Sequence, residues 1–117
     1  MSDAFSIQAG PTGDGVQSLR VSGRLDSAGA PLLAQRCAAV VGAGNDLVLD
    51  LSGVTFIASS GVGALLATAE RFSETGHTFT LAAMPPPVDA VIKLLNLDKF
   101  LDIVDTEERG LARRRAA

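Results

Sequence analysis

The sequence is poor in aromatic residues and in cysteine. It contains five phenylalanines, no tryptophan and no tyrosine, and Cys37 is its only cysteine. A hydrophobic core must therefore be built from leucine, valine, isoleucine and alanine. A disulfide within the chain and a cysteine metal cluster are both excluded, so the composition is compatible with a reducing compartment. We expect Cys37 to be a small buried residue on the apolar stripe of a helix.

The sequence also lacks a surplus of positive charge and a long apolar run. Its formal net charge is −3, which argues against nucleic-acid binding, because phosphate backbones are bound by surplus lysine and arginine. Its apolar stretches fall far short of the roughly 20 residues that a membrane span needs. Residues 1–4 lack the basic and apolar regions of a signal peptide. We therefore expect a soluble, cytoplasmic protein without membrane insertion.

The length of the chain predicts one domain, because 117 residues are typical of a single folding unit. We assign residues 1–117 to it. Near the C-terminus, Arg113, Arg114 and Arg115 form the only basic cluster. This cluster predicts a mobile, solvated tail over residues 110–117. Docking of the tail onto an acidic partner is the alternative interpretation.

The spacing of apolar residues predicts an α/β fold. Five strands are expected, at residues 5–8, 16–21, 46–57, 78–82 and 101–104. A turn over residues 11–15 makes the first two strands a hairpin. Helical spacing predicts four helices, which begin near Asp26 and Ser27, at Ser60, near Val88 and after Asp105. The order β-β-α-β-α-β-α-β-α predicts a mixed, mostly parallel sheet of about five strands packed with about four helices.

One segment combines features of a binding site, namely residues 57–63, which read Ile-Ala-Ser-Ser-Gly-Val-Gly. Ser59 and Ser60 stand at a predicted helix entrance, where backbone N–H groups lack partners and the helix dipole is positive. Gly61 and Gly63 let another molecule approach the backbone, so the entrance suits an anion or a phosphoserine. The alternative is that the serines only cap the helix and the glycines only allow close packing. Asp26 is expected first to cap the helix that follows it, with a place beside this entrance as the second interpretation; Asp50 is expected to end or interrupt a strand, also near the entrance.

Enzymatic sites are not predicted. A hydrolase nucleophile elbow needs glycine two residues before the serine, and Ile57 stands there. The only histidine, His77, is expected in a solvent-exposed turn at the far end of the helix, roughly 24 Å from Ser59. A dinucleotide fingerprint fails because Leu66 replaces its last glycine. We therefore predict no catalysis, no cofactor and no metal.

Residues 50–66 resemble the signature segment of STAS-domain anti-sigma factor antagonists, which typically reads D-L-S-x-V-x-F-hydrophobic-D-S-S-G-L-G. Residues 22–26 resemble the G-x-L-D corner of that family, and residues 88–97 and 100–106 resemble its C-terminal helix and strand. Together these segments extend over roughly the whole chain. The resemblance implies a STAS fold. One residue departs from the pattern, because Ala58 stands where the family usually has an acidic residue.

The resemblance also implies partner switching. An unphosphorylated antagonist binds a serine kinase with a histidine-kinase-like ATPase fold, which doubles as an anti-sigma factor, and thereby frees the sigma factor. The kinase phosphorylates the first serine of the Ser-Ser-Gly run, which here is Ser59, with Ser60 as the second candidate; a phosphatase is a further partner. An unphosphorylated accessory subunit of a transport or sensory complex is the alternative. The predicted partner-binding residues are Asp26, Ser27, Ala58, Ser59, Ser60, Gly61, Val62 and Gly63.

Overall fold

The computed structural model describes the backbone of residues 4–116 and the side chains of residues 4–112. The predicted order of elements is confirmed. None of the helices in the described part of the chain combines the length and the apolar character that crossing a membrane requires. The elements are β1 (Ser6–Gly13), β2 (Val16–Leu25), α1 (Gly29–Gly42), β3 (Asp46–Ile57), α2 (Ser59–Glu74), β4 (Phe79–Ala82), α3 (Pro86–Leu94), a one-turn 3-10 helix (Leu97–Lys99), β5 (Asp102–Val104) and α4 (Glu107–Ala116).

The strands form one sheet in the order β1-β2-β3-β4-β5. β1 and β2 pair antiparallel and every other neighbouring pair is parallel, which confirms the predicted mixed sheet. In the central strand β3, Leu47, Leu49 and Leu51 are fully buried in the main core with residues of α1, α2 and α3. Val48 points to the opposite face and packs in a second cluster with Leu111 of α4. Apolar residues on both faces of β3 therefore mark a strand covered on both sides.

The hairpin between β1 and β2 differs from the predicted one. β1 continues to Gly13, so the turn consists of Asp14 and Gly15 rather than residues 11–15. Both residues have positive φ angles, 55° and 79°, which is typical of a two-residue turn whose twist matches that of the strands. Pro11 lies inside β1, beside a register shift between Ala9 and Thr12. An edge strand tolerates proline there, because a backbone N–H that points away from the sheet makes no hydrogen bond to a neighbouring strand.

The connection from β2 to α1 begins with Asp26. Its Oδ1 atom accepts hydrogen bonds from the backbone N–H groups of Ala28 at 3.1 Å and Gly29 at 3.3 Å. The N-cap position of α1 is Ala28, one residue after Ser27 and two after Asp26, which were the predicted caps. Asp26 therefore stabilises the turn that leads into α1, and Ser27 remains exposed in that turn.

The predicted mobile tail over residues 110–117 is wrong at its start. Gly110 and Leu111 belong to α4 and are buried. Gly110 lies so close to β3 that a Cβ atom there would be 2.9 Å from Cγ1 of Val48. The predictions for Arg113–Arg115 concern side chains outside the described residues.

Glu107 attaches the start of α4 to β2. Its carboxylate accepts hydrogen bonds from the guanidinium of Arg20, at 2.8 and 3.0 Å, and from the buried hydroxyl of Ser18. The hydrogen bond from Arg20 is the main reason that the pKa of Glu107 is lowered. Proton binding therefore weakens the attachment of α4.

Replacement of Glu107 by glutamine is expected to cost more stability at neutral pH than in acid. Because the folded-state pKa of Glu107 is lowered, its contribution is present above roughly pH 4.3, the ordinary value, and is lost as the pH falls through the folded value. Urea unfolding at pH 7 and pH 3 should show the gap between wild type and Glu107→Gln shrinking in acid. Glu108→Gln, at an exposed neighbour, is the control. A gap that is the same at both pH values would contradict the anchoring role.

Cys37 is buried, as predicted. Desolvation in the core raises the pKa of its thiol to about 12. Because thiolate is the reactive form of cysteine, Cys37 is chemically inert near neutral pH. Its role is therefore packing between α1 and α2.

Candidate functional site

The carboxyl ends of β2 and β3 meet at one edge of the sheet. These strands are parallel neighbours, and the last residue of each, Leu25 and Ile57, are register partners. The N–H of Ala58 donates a hydrogen bond of 3.0 Å to the carbonyl oxygen of Leu25. The residues that follow each strand, Asp26 and Ser27 on one side and residues 58–63 on the other, therefore lie side by side. We call this set the Ser59 corner.

The two serines occupy the first turn of α2. Ser59 is the first helical residue and is exposed, whereas Ser60 is partly buried. The N-cap position belongs to Ala58, which has an extended backbone and no oxygen on its side chain, and no side chain caps the helix. The alternative that the serines serve as N-caps is therefore wrong. Among the described residues, no hydrogen bond holds the Ser59 hydroxyl, so it is open to another molecule.

The two glycines of the corner have different roles. Gly61 is buried against β2, and a Cβ atom there would be 2.6 Å from the carbonyl oxygen of Leu25. Gly63 is exposed, and a Cβ atom there would meet nothing within 4 Å. Gly61 thus allows close packing of α2 on the sheet, while Gly63 leaves the surface open. Val62 is 7% exposed and belongs to the core. The accessible members of the predicted partner surface are therefore Asp26, Ser27, Ala58, Ser59, Ser60 and Gly63.

Known proteins share this fold. The family model described as Mlab, STAS domain, matches residues 11–105. The crystal structure of an anti-sigma factor antagonist from Mycobacterium paratuberculosis is 34% identical and has a TM-score of 0.85, with 98% of this chain and 97% of that chain covered. This chain belongs to the STAS-domain family of anti-sigma factor antagonists. The fold implied by residues 50–66 is thereby confirmed.

Two further STAS structures are similar in fold. The anti-sigma factor antagonist SpoIIAA in its unphosphorylated form is 22% identical with a TM-score of 0.79, over 97% of this chain and 98% of that chain. An anti-sigma-factor antagonist domain protein from Planctomyces limnophilus is 21% identical with a TM-score of 0.78, over 92% of this chain and 97% of that chain. The architecture of this STAS domain is thus shared along nearly its full length.

Sequence patterns did not predict one feature beside the Ser59 corner, a stack of Arg24 on Phe56. The guanidinium carbon of Arg24 lies 4.1 Å from the ring centroid of Phe56, and its Nε atom lies 3.9 Å from Oδ2 of Asp26. Phe56 is 39% exposed. The two residues are register partners one position before the strand ends. Arginine and aromatic side chains held rigidly at a surface are typical of binding hot spots.

Two sequence predictions about this STAS domain need correction. Asp50 lies in the middle of β3, roughly 25 Å before Ala58 along the strand, and its carboxylate accepts a hydrogen bond from the N–H of Ser52. It therefore does not belong to the corner. His77 is partly buried rather than solvent-exposed, and its Nδ1 atom lies 3.3 Å from Oδ1 of Asp46 at the other end of α2. Residues 4–112 hold no cluster of acidic, histidine or cysteine side chains suited to a metal.

Replacement of Ala58 by aspartate is expected to stabilise this STAS domain. A carboxylate at the N-cap position accepts a hydrogen bond from a first-turn N–H group that lacks a partner in the helix. The extended backbone of Ala58, with φ −97° and ψ 171°, already suits a capping residue. We expect a gain of about 1 kcal/mol in urea unfolding, and a similar gain for Ala58→Ser. An unchanged or lower free energy of unfolding for both variants would show that the N–H groups are satisfied in another way.

Proposed function

We propose that this STAS domain is an anti-sigma factor antagonist that binds a serine-kinase anti-sigma factor and is released when Ser59 is phosphorylated. The observation that carries the proposal is the exposed hydroxyl of Ser59 at the entrance of α2, which has no structural task in capping the helix. SpoIIAA, which is similar in fold, has been solved in a phosphorylated form as well as in its unphosphorylated form. When this domain binds the kinase that holds the sigma factor, the sigma factor is released.

The entrance of α2 is electrostatically suited to a phosphate. A phosphoserine carries roughly −1.5 to −2 charges at neutral pH. At a helix N-terminus a negative charge is favourable by about 0.3 to 1 kcal/mol. The first turn of α2 contains no acidic residue, and the N-cap position before it is Ala58 rather than an acid. The fold therefore tolerates the modification.

A docked partner would not tolerate the same phosphate. Apolar side chains are exposed near both strand ends, with Phe56 in β3 and Leu32, which is 53% exposed, in the first turn of α1. A partner that covers these side chains and the Ser59 corner also removes water from the Ser59 hydroxyl. A phosphate at that position would lose its hydration in an interface shaped for a neutral hydroxyl, which is costly. Phosphorylation therefore acts on the interface and leaves the fold intact.

Exposure favours Ser59 over Ser60 as the phosphorylated residue. The kinase must reach the hydroxyl, and Ser60 is the partly buried member of the pair. With the cognate kinase and ATP, intact-mass measurement should show one phosphoryl group on wild type and on Ser60→Ala, and none on Ser59→Ala. Modification of Ser59→Ala together with an unmodified Ser60→Ala would assign the role to Ser60. A wild type that remains unmodified would contradict the proposed phosphorylation switch.

A further inference from the structure

A patch of exposed apolar side chains lies at the other end of the molecule from the Ser59 corner. Leu94 is 80% exposed, Leu95 52% and Phe100 76%. They fall within seven residues, between the end of α3 and the start of β5. These three are the majority of the five large hydrophobic side chains that are exposed in the described residues. We call them the Leu94 patch. Several large apolar side chains exposed in one short segment typically mark an interaction site.

The Leu94 patch is held on an ordered frame. Ile92 and Leu101, on either side of it, are buried in the core. Asn96 adopts a left-handed conformation with φ 59°, and its N–H donates a hydrogen bond of 3.0 Å to the carbonyl oxygen of Lys93. The N–H of Phe100 donates to the carbonyl oxygen of Leu97 at 2.9 Å. The patch is therefore presented by a fixed turn, and little conformational entropy is lost when it binds.

A groove adjoins the patch. It has a volume of about 360 Å³, and Phe100 forms part of its wall together with Ala69, Ser73, His77 and Phe79. Projecting side chains and a concave groove thus occur on the same surface. A surface with both shapes can pair with a copy of itself, because a two-fold axis brings each projection to the groove of the other copy.

The charges beside the patch are also self-complementary. Asp98 and Lys99 are neighbours in the 3-10 helix and both are exposed. Within the described residues, neither of them forms a salt bridge. A partner of one charge sign would be attracted by one of these residues and repelled by the other. Across a two-fold axis, in contrast, Asp98 of one copy can face Lys99 of the other.

We propose that the Leu94 patch is an isologous interface through which two copies of this chain associate weakly. Leu94 and Phe100 of each copy pack against the groove of the other, and Asp98 and Lys99 pair across the axis. Three side chains cover less than the about 800 Å² per partner of a standard stable interface, so the dissociation constant lies in the micromolar to millimolar range. Both Ser59 corners remain open in such a dimer, and the inference does not depend on the proposed function.

Sedimentation velocity of the full chain tests the interface. The protein concentration is varied between about 10 μM and 1 mM, a range that brackets the expected dissociation constant. The average mass of wild type should rise with concentration above the monomer value of 12.0 kDa. The double variant Leu94→Ser, Phe100→Ser should stay monomeric with an unchanged melting temperature, because both side chains are exposed. Leu32→Ser, at the opposite end, is the matched control and should associate like wild type.

Charge reversal tests the two-fold pairing. Lys99→Asp places like charges opposite each other and should weaken association at least threefold. The swap of Asp98→Lys with Lys99→Asp restores complementarity and should recover it. A wild type that remains monomeric at 1 mM, on the order of the weakest affinity proposed, would overturn the proposal. So would association that persists unchanged in the Leu94→Ser, Phe100→Ser variant.

Discussion

Replacement of Ser59 by aspartate is expected to weaken binding to the partner kinase more than a hundredfold, with a melting temperature that is unchanged or slightly raised. Loss of about 3 kcal/mol of binding free energy corresponds to this change. The exposed position of Ser59 at the entrance of α2 places the charge in the interface and outside the core. The same charge is favourable toward the helix dipole. Binding and stability therefore separate in this one variant.

The matched control for Ser59→Asp is Ser73→Asp. Ser73 is exposed near the other end of α2, so the variant carries the same change in net charge on the same helix. Its partner affinity should stay within about twofold of wild type, a difference of less than 1 kcal/mol. Titration calorimetry with the purified kinase gives both dissociation constants. Equal affinities of Ser59→Asp and wild type for the kinase would show that Ser59 does not lie in the interface.

Replacement of Gly61 by alanine is expected to destabilise the fold and to displace the Ser59 corner. The new Cβ atom would lie 2.6 Å from the carbonyl oxygen of Leu25 and 2.8 Å from its Cγ atom. Since the backbone of β2 is fixed by the sheet, α2 must shift. Overpacking of this kind costs about 1 to 3 kcal/mol. The displaced corner should also bind the partner more weakly than wild type does.

Gly63→Ala provides the control in the same turn of α2. A Cβ atom there meets nothing within 4 Å, so only the higher helix propensity of alanine acts, which stabilises by up to about 1 kcal/mol. Because both glycines lie in α2, both substitutions gain the same helix propensity, so urea unfolding should separate Gly61→Ala from Gly63→Ala by the overpacking cost, about 1 to 3 kcal/mol. Equal stabilities would show that Gly61 is not required for close packing.

Local sequence patterns predicted most of the fold and the composition of the corner. The alternation of leucines in β3 and the helical spacing after Ser60 marked the central strand and α2. That the residues after β2 lie beside those after β3 was implied by the resemblance of residues 22–26 to the corner of the family, and the parallel pairing of β2 and β3 brings them together. These features depend on neighbours in sequence and on general rules of chain connection.

Features that depend on contacts distant in sequence were not predicted. The segment Glu107–Ala116 is mostly charged and was interpreted in part as a tail, yet Gly110 and Leu111 pack on β3 and β2. The stack of Arg24 on Phe56 depends on a register shift in the β2–β3 pairing between Gly23 and Arg24. Neither the docking of one leucine nor an irregular register leaves a periodic signal in the sequence.

The predicted role of Ser59 depended on a single helix boundary. As an N-cap residue, its hydroxyl would have been used by the backbone. As the first helical residue, with Ala58 at the N-cap, its hydroxyl is free among the described residues. A shift of one residue, which sequence patterns do not resolve, thus separates a structural serine from one available for regulation.

Partner release and modification can be followed in one experiment. The complex of this chain with its kinase is first formed in the presence of ADP, and ATP is then added. In the same reaction, fluorescence anisotropy reports dissociation of the complex and peptide mass spectrometry reports phosphorylation. Dissociation should follow the appearance of a single phosphoryl group on Ser59, and a Ser59→Ala complex should persist. A complex that stays intact with Ser59 fully phosphorylated would contradict the switch and favour an accessory subunit of a transport or sensory complex.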